Sequence, residues 1–384
     1  MINAPCVRRL TLTGFRNYPS LRLETQAKSL VLTGVNGAGK TNLLEAVSML
    51  APGRGLRGAP FEELVRQQGQ AWAVSAEIGS PIADVRLGTG FSKADEAQGH
   101  SGRMVTIDGI AQKGSGALGH HLRILWLTPA MDRLFAGPAG DRRRFLDRLV
   151  LAFDPEHSAR VLAFEKALRE RNRLLSEARP DGAWLSAIEA EIAANGVAVA
   201  AARMTAIDTL KGHAGKAPAA GENTPLFPWF DMVCEGELET ALLRMPAVQS
   251  EDQYRKILRD SRIRDQAAGR TLSGPHRSDL SVTHGPKQMP ARLCSTGEQK
   301  ALLIGIVLAH ARAVKIGFGG MSPILLLDEV AAHLDRSRRA GLYAELASLG
   351  GQVWMTGTDR ALFDGVGDGC EVYEVGQGAL RQIP

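Results

Sequence analysis

Aromatic residues are few, 5% of the chain, which argues against a broad stacking platform for unpaired bases. Cysteines are fewer still: Cys6, Cys234, Cys294 and Cys370 lie far apart, with no Cys-x-x-Cys pair. A zinc ribbon or a disulfide framework needs closer spacing, and sparse thiols suit a reducing, cytoplasmic compartment. His120-His121 have no Cys or acid at ligand spacing, so no metal is expected there. The N-terminal stretch carries Arg8, Arg9, Arg16, Arg22, Glu24 and Lys28 and lacks the apolar core of a secretory signal. No run reaches the roughly 18 uncharged apolar residues of a membrane span; the most apolar, Ala301 to Ala311, is short and includes His310. No membrane partner is therefore expected. Fixed-period repeats and low-complexity tracts are missing, and so is a second acidic metal cluster, which disfavours a nuclease.

What is present is ordinary globular material. The 384 residues are 44% hydrophobic and 23% charged, enough for a sizeable core and for two or three domains, or one with an insertion. Lys and Arg number 46 against 41 Asp and Glu, a net +5, which permits an anionic partner without demanding one. Short alternating or apolar segments read as strands around Leu10 to Phe15, Leu21 to Leu23, Leu30 to Leu32, Trp72 to Ile78, Val85 to Leu87, Met104 to Ile107 and Ile124 to Leu127. Lys93 to Arg103 reads as a polar turn. From Arg142 the texture becomes helical: Arg142 to Leu151, Ala159 to Leu175, Ala183 to Leu210 and Glu251 to Arg264, with a Gly/Ala/Pro-rich loop over His213 to Pro228. Strands resume near Leu280, and Ile324 to Leu327 and Val353 to Thr356 are fully apolar runs. The chain is expected to be α/β, with one domain built from 1–130 and 271–384 and a helical insertion over 131–270.

Gly34-Val35-Asn36-Gly37-Ala38-Gly39-Lys40-Thr41 matches the phosphate-loop pattern G-x-x-x-x-G-K-[ST] in full. Its glycines let the backbone curl so that N–H groups point at a phosphate. Lys40 would reach the β- and γ-phosphates of ATP, Thr41 would ligate Mg²⁺, and the helix that follows adds its positive end. A short apolar strand before the loop and a helix after it are the context the motif requires. Ile324 to Leu327 is a strand ending in Asp328-Glu329. An acid there holds Mg²⁺ through water, and Glu329 is a candidate general base. Ahead of it, Cys294-Ser295-Thr296-Gly297-Glu298 opens a helix with a hydroxyl, a glycine amide and a dipole end, a second anion-binding device.

In this order the pieces resemble the ATP-binding-cassette class. In that class the signature serine caps the γ-phosphate of an ATP held by the other head, and Val330 to Asp335 looks like the D-loop, with Asp335 as its acid. The resemblance implies that Ser295, Gly297 and Glu298 act in trans and that two chains form a homodimer around two ATPs. It narrows further on Phe15-Arg16-Asn17-Tyr18, Asn42-Leu43-Leu44-Glu45-Ala46, Gly53-Arg54-Gly55-Leu56-Arg57, Arg142 to Asp147 and Gly274-Pro275-His276-Arg277-Ser278-Asp279-Leu280. That set is similar to the RecF family, relatives of Rad50 and the chromosome-structuring ATPases, over nearly the whole chain. The family implies an α/β, ABC-type P-loop ATPase head with an inserted helical arm. It also implies ATP-dependent binding to single- and double-stranded DNA at gap junctions in repair and replication, a RecR-like partner, recombinase loading, support of SOS induction, and a weak DNA-dependent ATPase. Two departures point to slow hydrolysis: no glutamine follows Ile124 to Leu127, and Thr356-Gly357-Thr358-Asp359 contains no histidine switch.

Several basic residues carry two readings. Arg142, Arg143, Arg144 and Arg148, with Arg169, Arg171, Arg173 and Arg179, could track DNA phosphates or be a solvated face paired with Asp141, Asp147, Glu165 and Glu170. Arg16 could touch nucleotide or close a strand. His276 and Arg277 could face the nucleotide or the dimer seam, or shape a structural turn. A transporter ATPase would bring a membrane partner; a small-molecule kinase would not need Ser295 and Gly297.

Overall fold

The computed structural model describes residues 4–97, 102–215, 226–367, 369–376 and 378–383. The chain divides into two compact units, one of 1–132, 218–227 and 303–384, the other of 133–217 and 228–302.

Among the described residues, the first unit contains two six-stranded sheets. One runs in the order Ala379–Ile383, Cys370–Gly376, Ser29–Thr33, Val353–Gly357, Ile324–Leu327, Ile124–Leu127. All its pairings are parallel except that of the first two strands. Leu30, Val31 and Leu32 are buried, as are all of Ile324–Leu327 and Val353–Gly357. Parallel strands covered on both faces require such unbroken apolar runs. Leu327 pairs with Met355 and Thr33 with Gly357. The register therefore brings the phosphate loop, Asp328 and Thr356 to the carboxyl ends of neighbouring strands, where open α/β sheets bind ligands.

The second sheet is antiparallel, in the order Tyr18–Glu24, Cys6–Phe15, Ala71–Gly79, Val85–Ser92, Met104–Ile107, Ile110–Ala111. Its strands alternate, with Leu10, Leu12, Val74 and Ala76 inside. Phe15 meets Trp72 edge to face at 5.5 Å in the same core as Leu43, Leu44 and Val47 of the helix that follows the phosphate loop. At roughly 1.5–3 kcal/mol per fully buried large side chain, this core fixes the strand on which the loop is mounted. The polar turn expected at Lys93 to Arg103 is a short helix over Lys93–Ala97, and 98–101 lie outside the described residues.

The second unit is not purely helical. Its helices are Ala139–Phe153, His157–Leu175, Gly182–Lys211, Glu237–Leu242, Ala247–Asp260 and Arg262–Ala268. It also holds a three-stranded sheet of Met289–Pro290, Asp279–His284 and Phe230–Glu235. The last strand falls within the expected helical insertion. Its pattern is strictly alternating, with Phe230, Met232 and Cys234 buried, the period-2 signal that marks a half-buried strand. Of the loop expected over His213 to Pro228, 216–225 lie outside the described residues. The helix expected over Glu251 to Arg264 is broken at Ser261. There the side-chain hydroxyl bonds the Leu258 carbonyl and the Asp265 carboxylate, offering the backbone a local alternative to continuing.

Gly182–Lys211 is capped by Asp181, which accepts from the Ala183 and Trp184 amides. It is long and apolar enough to cross a membrane, but half of its apolar window is buried inside the protein. Ile188, Ile192, Val197 and Ala200 pack on Phe164, Leu168, Tyr254 and Leu258, as in the core helix of a helical domain. Its buried charges are paired too: Glu189 with Arg171 and Arg262, Arg203 with Asp147.

Candidate nucleotide site

The phosphate loop runs from the end of Ser29–Thr33 into the helix Lys40–Ser48. Gly34, Gly37 and Gly39 have φ of 141°, 82° and 112°, a region that L side chains rarely adopt. At Gly34 a Cβ would also lie 2.6 Å from the Val375 carbonyl oxygen, and at Gly39 one would strike the Asn17 amide. At Gly37 nothing lies within 4 Å, so the middle of the loop is open. Val35, Asn36 and Gly37 are exposed. Lys40 is buried, and its Nζ donates to the carbonyls of Gly34 at 2.7 Å and Val35 at 3.0 Å. The ammonium is thus held across the mouth of the loop.

The loop is braced by the turn after the first strand. Asn17 Nδ2 donates to the Ala38 carbonyl and Asn42 Nδ2 to Asn17 Oδ1. The Tyr18 hydroxyl donates to the Gly39 carbonyl at 3.0 Å, and burial pushes its pKa up, keeping it a donor. Arg16, at φ 53°, forms a two-pronged pair with buried Glu45 at 2.9 and 3.0 Å; Arg57 adds a third contact at 2.6 Å. Arg16 is therefore a brace between strand turn and loop helix. The sequence pointed at Arg16 but not at its partner: Glu45 is an acid on the inward face of an apolar helix, and a buried acid needs a cation.

Thr41 Oγ1 donates to the Asp328 carboxylate, 2.9 and 3.0 Å from its two oxygens. Thr356 Oγ1 donates to Asp328 Oδ1 at 2.7 Å and accepts the Glu329 N–H at 2.9 Å. Glu329 is left-handed at φ 52°, a conformation costing a non-glycine residue about 1–3 kcal/mol. Asp328 is buried and Glu329 half-buried. A hydroxyl beside one carboxylate, next to an open phosphate cradle, is a hard-oxygen set that fits Mg²⁺. That ion needs only one or two protein oxygens when phosphates and waters supply the rest. Among the described residues no group of three or more His, Cys, Asp or Glu could hold a metal, in keeping with so sparse a site.

In the second unit, Ser295 and Glu298 open the helix Thr296–Gly317 as a reciprocal cap. The Ser295 N–H donates to Glu298 Oε2 and the Glu298 N–H to Ser295 Oγ. Lys287 Nζ lies 2.6 Å from Glu298 Oε1. Chiefly this bond, with the Ser295 contacts, holds the Glu298 carboxyl down at about 2. Ser295 and Gly297 are exposed, and a Cβ at Gly297 would meet nothing within 4 Å among the described residues. Asp335 caps the helix Arg336–Leu349, accepting the Arg338 N–H at 2.8 Å.

The two readings of the basic residues separate residue by residue. Arg142 is two-pronged on Asp279 at 2.7 Å, and Arg143 donates to the Ser278 carbonyl. Arg171 is fully buried on Glu189, Asp265, Thr271 and the Leu258 carbonyl. It lies inside the domain, not on a DNA-tracking or solvated face. Arg144, Arg169 and Arg173 are exposed with acidic neighbours on their own helices. Arg203 links two motifs that sequence alone left unconnected: it grips Asp147 at 2.8 Å through two nitrogens and donates to the Pro275 carbonyl. Asp147 also meets buried His157 at 2.9 Å. Gly274 lies so close to Tyr254 that a Cβ would collide with the phenol oxygen. His276 bonds the Thr271 carbonyl and packs on Phe164. The Gly-Pro-His-Arg segment is thus a structural turn at His276, while Arg277 is exposed.

A parallel sheet with a phosphate loop on one strand and an acid at the end of the next strand but one, joined to an antiparallel sheet, is the fold of ATP-binding-cassette ATPase heads. The chain matches the Smc head domain of Pyrococcus furiosus with a TM-score of 0.52 at 15% identity, over 99% of this chain and 96% of that one. It matches the recombination mediator protein RecF of the RecFOR pathway with a TM-score of 0.84 at 21% identity, over 100% and 99%. No family model matches. In sequence it is 50% identical over 375 residues to the DNA replication and repair protein RecF of Mesorhizobium japonicum, covering 97% of both chains. It is 51% identical over 379 residues to that of Brucella suis, covering 98% of this chain and 96% of the relative. The chain belongs to the RecF family.

Proposed function

We propose that this chain is an ATP-dependent DNA-binding protein of recombinational repair and replication-fork maintenance, acting as an ATP-closed homodimer in the cytoplasm. The observation that carries the reading is an intact phosphate loop, braced by Asn17, Tyr18 and Glu45, in a chain half identical over its length to RecF proteins. In this reading 1–130 and 271–384 form the ATPase head and 131–270 the arm.

The loop amides and Lys40 bind the phosphates, and Lys40 exchanges its two carbonyl contacts for phosphate oxygens. Thr41 and Asp328 would hold Mg²⁺, which supplies neutralisation of the charge that builds on the transferred phosphoryl group. Glu329 orients water and takes its proton. The exposed Ser295 hydroxyl and Gly297 amide, presented by the cap with Glu298, meet the γ-phosphate of ATP on a second copy, and Asp335 lies in the loop that crosses that seam. ATP therefore closes the dimer and slow hydrolysis opens it. The closed dimer grips single- and double-stranded DNA at gap junctions, where a RecR-like partner helps it load recombinase and support SOS induction. Exposed Arg277, with Arg144 and Arg169, supplies cations for phosphate contacts. No membrane partner takes part.

Sedimentation with ATP and Mg²⁺, with and without gapped duplex, tests this. Wild type becomes a dimer and binds DNA; Ser295→Arg binds ATP as a monomer and does neither. Dimerisation of Ser295→Arg at the wild-type ATP concentration would refute the trans role.

A further inference from the structure

We infer that Thr356 is a positioning residue for the acidic pair, one hydroxyl that sets both Asp328 and Glu329. The inference rests on the reading of those acids as Mg²⁺ holder and general base. Thr356 is the polar residue near the end of an otherwise apolar buried strand, Val353–Gly357, and is itself buried. An amide N–H can only donate and a carboxylate can only accept. The Glu329 N–H at 2.9 Å therefore makes Thr356 Oγ1 an acceptor, and its single proton points at Asp328 Oδ1, 2.7 Å away.

Two consequences follow. Asp328 is gripped by hydroxyls from separate elements, Thr356 and Thr41, so its carboxylate cannot turn, and its remaining lone pairs have a fixed direction. Glu329 is held at φ 52° by a bond from its own N–H, which sets where its side chain leaves the backbone. The β-branched side chain of Thr356 is stiff about χ1, and parallel pairing of Leu327 with Met355 keeps the two strand ends level. The same hydroxyl thus couples the metal-holding acid to the base, and a residue of the same shape without it would uncouple them.

The test uses the full chain as wild type, Thr356→Val and Thr356→Ser. ATP affinity is measured in Mg²⁺ and in EDTA, and single-turnover hydrolysis in Mg²⁺. Thr356→Val should bind ATP in EDTA within about two-fold of wild type. Its affinity gain from Mg²⁺ and its hydrolysis rate should each fall by about 10- to 100-fold, the effect of one hydrogen bond to a charged group. Thr356→Ser should recover both to within about three-fold. A valine variant with the wild-type Mg²⁺ gain and rate would overturn the inference. So would equal impairment of valine and serine, or lost affinity in EDTA, either of which would make the role one of packing. Failure of the underlying reading shows instead in the wild type, as no Mg²⁺ gain or no hydrolysis. If only hydrolysis is missing, the Mg²⁺ gain of the valine variant decides the role of Thr356.

Discussion

The two compact units put buried cations to opposite ends. In the first, Lys40, Thr41 and Asp328 gather at an open cradle, and Lys40 is held by two backbone carbonyls that a phosphate can replace. In the second, Arg171 and Arg203 are buried and bonded to carboxylates and backbone carbonyls of the same unit. A cation held by weak local acceptors beside open space is a ligand-binding group. A cation held by buried carboxylates is cement, because taking either partner away strands a charge in low dielectric.

That contrast can be broken at its strongest point. Among the described residues, Arg171→Ala leaves Glu189 with Arg262 alone and Asp265 with no cation. Stability should fall by about 3–5 kcal/mol in denaturant titration, with ATP affinity of the folded fraction unchanged. A loss under about 1 kcal/mol would mean that water compensates the acids.

Arg16 sits on the boundary between the two uses. It lies beside the phosphate loop but holds Glu45 as the buried arginines of the second unit hold their acids. Arg16→Ala should cost about 1–3 kcal/mol of stability, because Arg57 still reaches Glu45, and should weaken ATP binding only through a looser loop. An unchanged melting curve with abolished ATP binding would make Arg16 a nucleotide contact instead.

The smallest effect lies at the helix cap that presents Ser295. The Glu298 carboxyl is held near 2, below its usual 4.5. Its charged form is thus favoured in the folded state. The cap's contribution is full above about pH 4.5 and is lost as pH falls through about 2. Carboxyl NMR should find the Glu298 midpoint near the low value, and Lys287→Gln should move it upward. A midpoint at the usual value in wild type would remove the Lys287 pairing in solution.

Legibility in the sequence followed the same division. The phosphate loop, the strand before it and the Asp328-Glu329 strand end were readable because their chemistry is local: glycines needed for positive φ, and apolar runs needed by a parallel sheet. The capping role of Ser295 and Glu298 was latent in Ser-x-x-Glu, a pattern that serves helix start and anion site alike. Asp147, Arg203 and Pro275 were not readable as one unit, since their bonds join residues distant along the chain. Arg171 looked like one of three similar arginines, and only burial separates it from Arg169 and Arg173. The break at Ser261 was hidden inside a continuous helical pattern, and the strand Phe230–Glu235 followed a segment whose composition signalled only loop.

The most direct test is the melting temperature of wild type and Lys40→Ala, each with and without saturating MgATP. Binding to the folded state alone raises the wild-type transition by mass action. The Lys40 ammonium contacts two carbonyls among the described residues, so Lys40→Ala should melt close to wild type without nucleotide and should not be raised by MgATP. A Lys40→Ala protein stabilised by MgATP as strongly as wild type would contradict it.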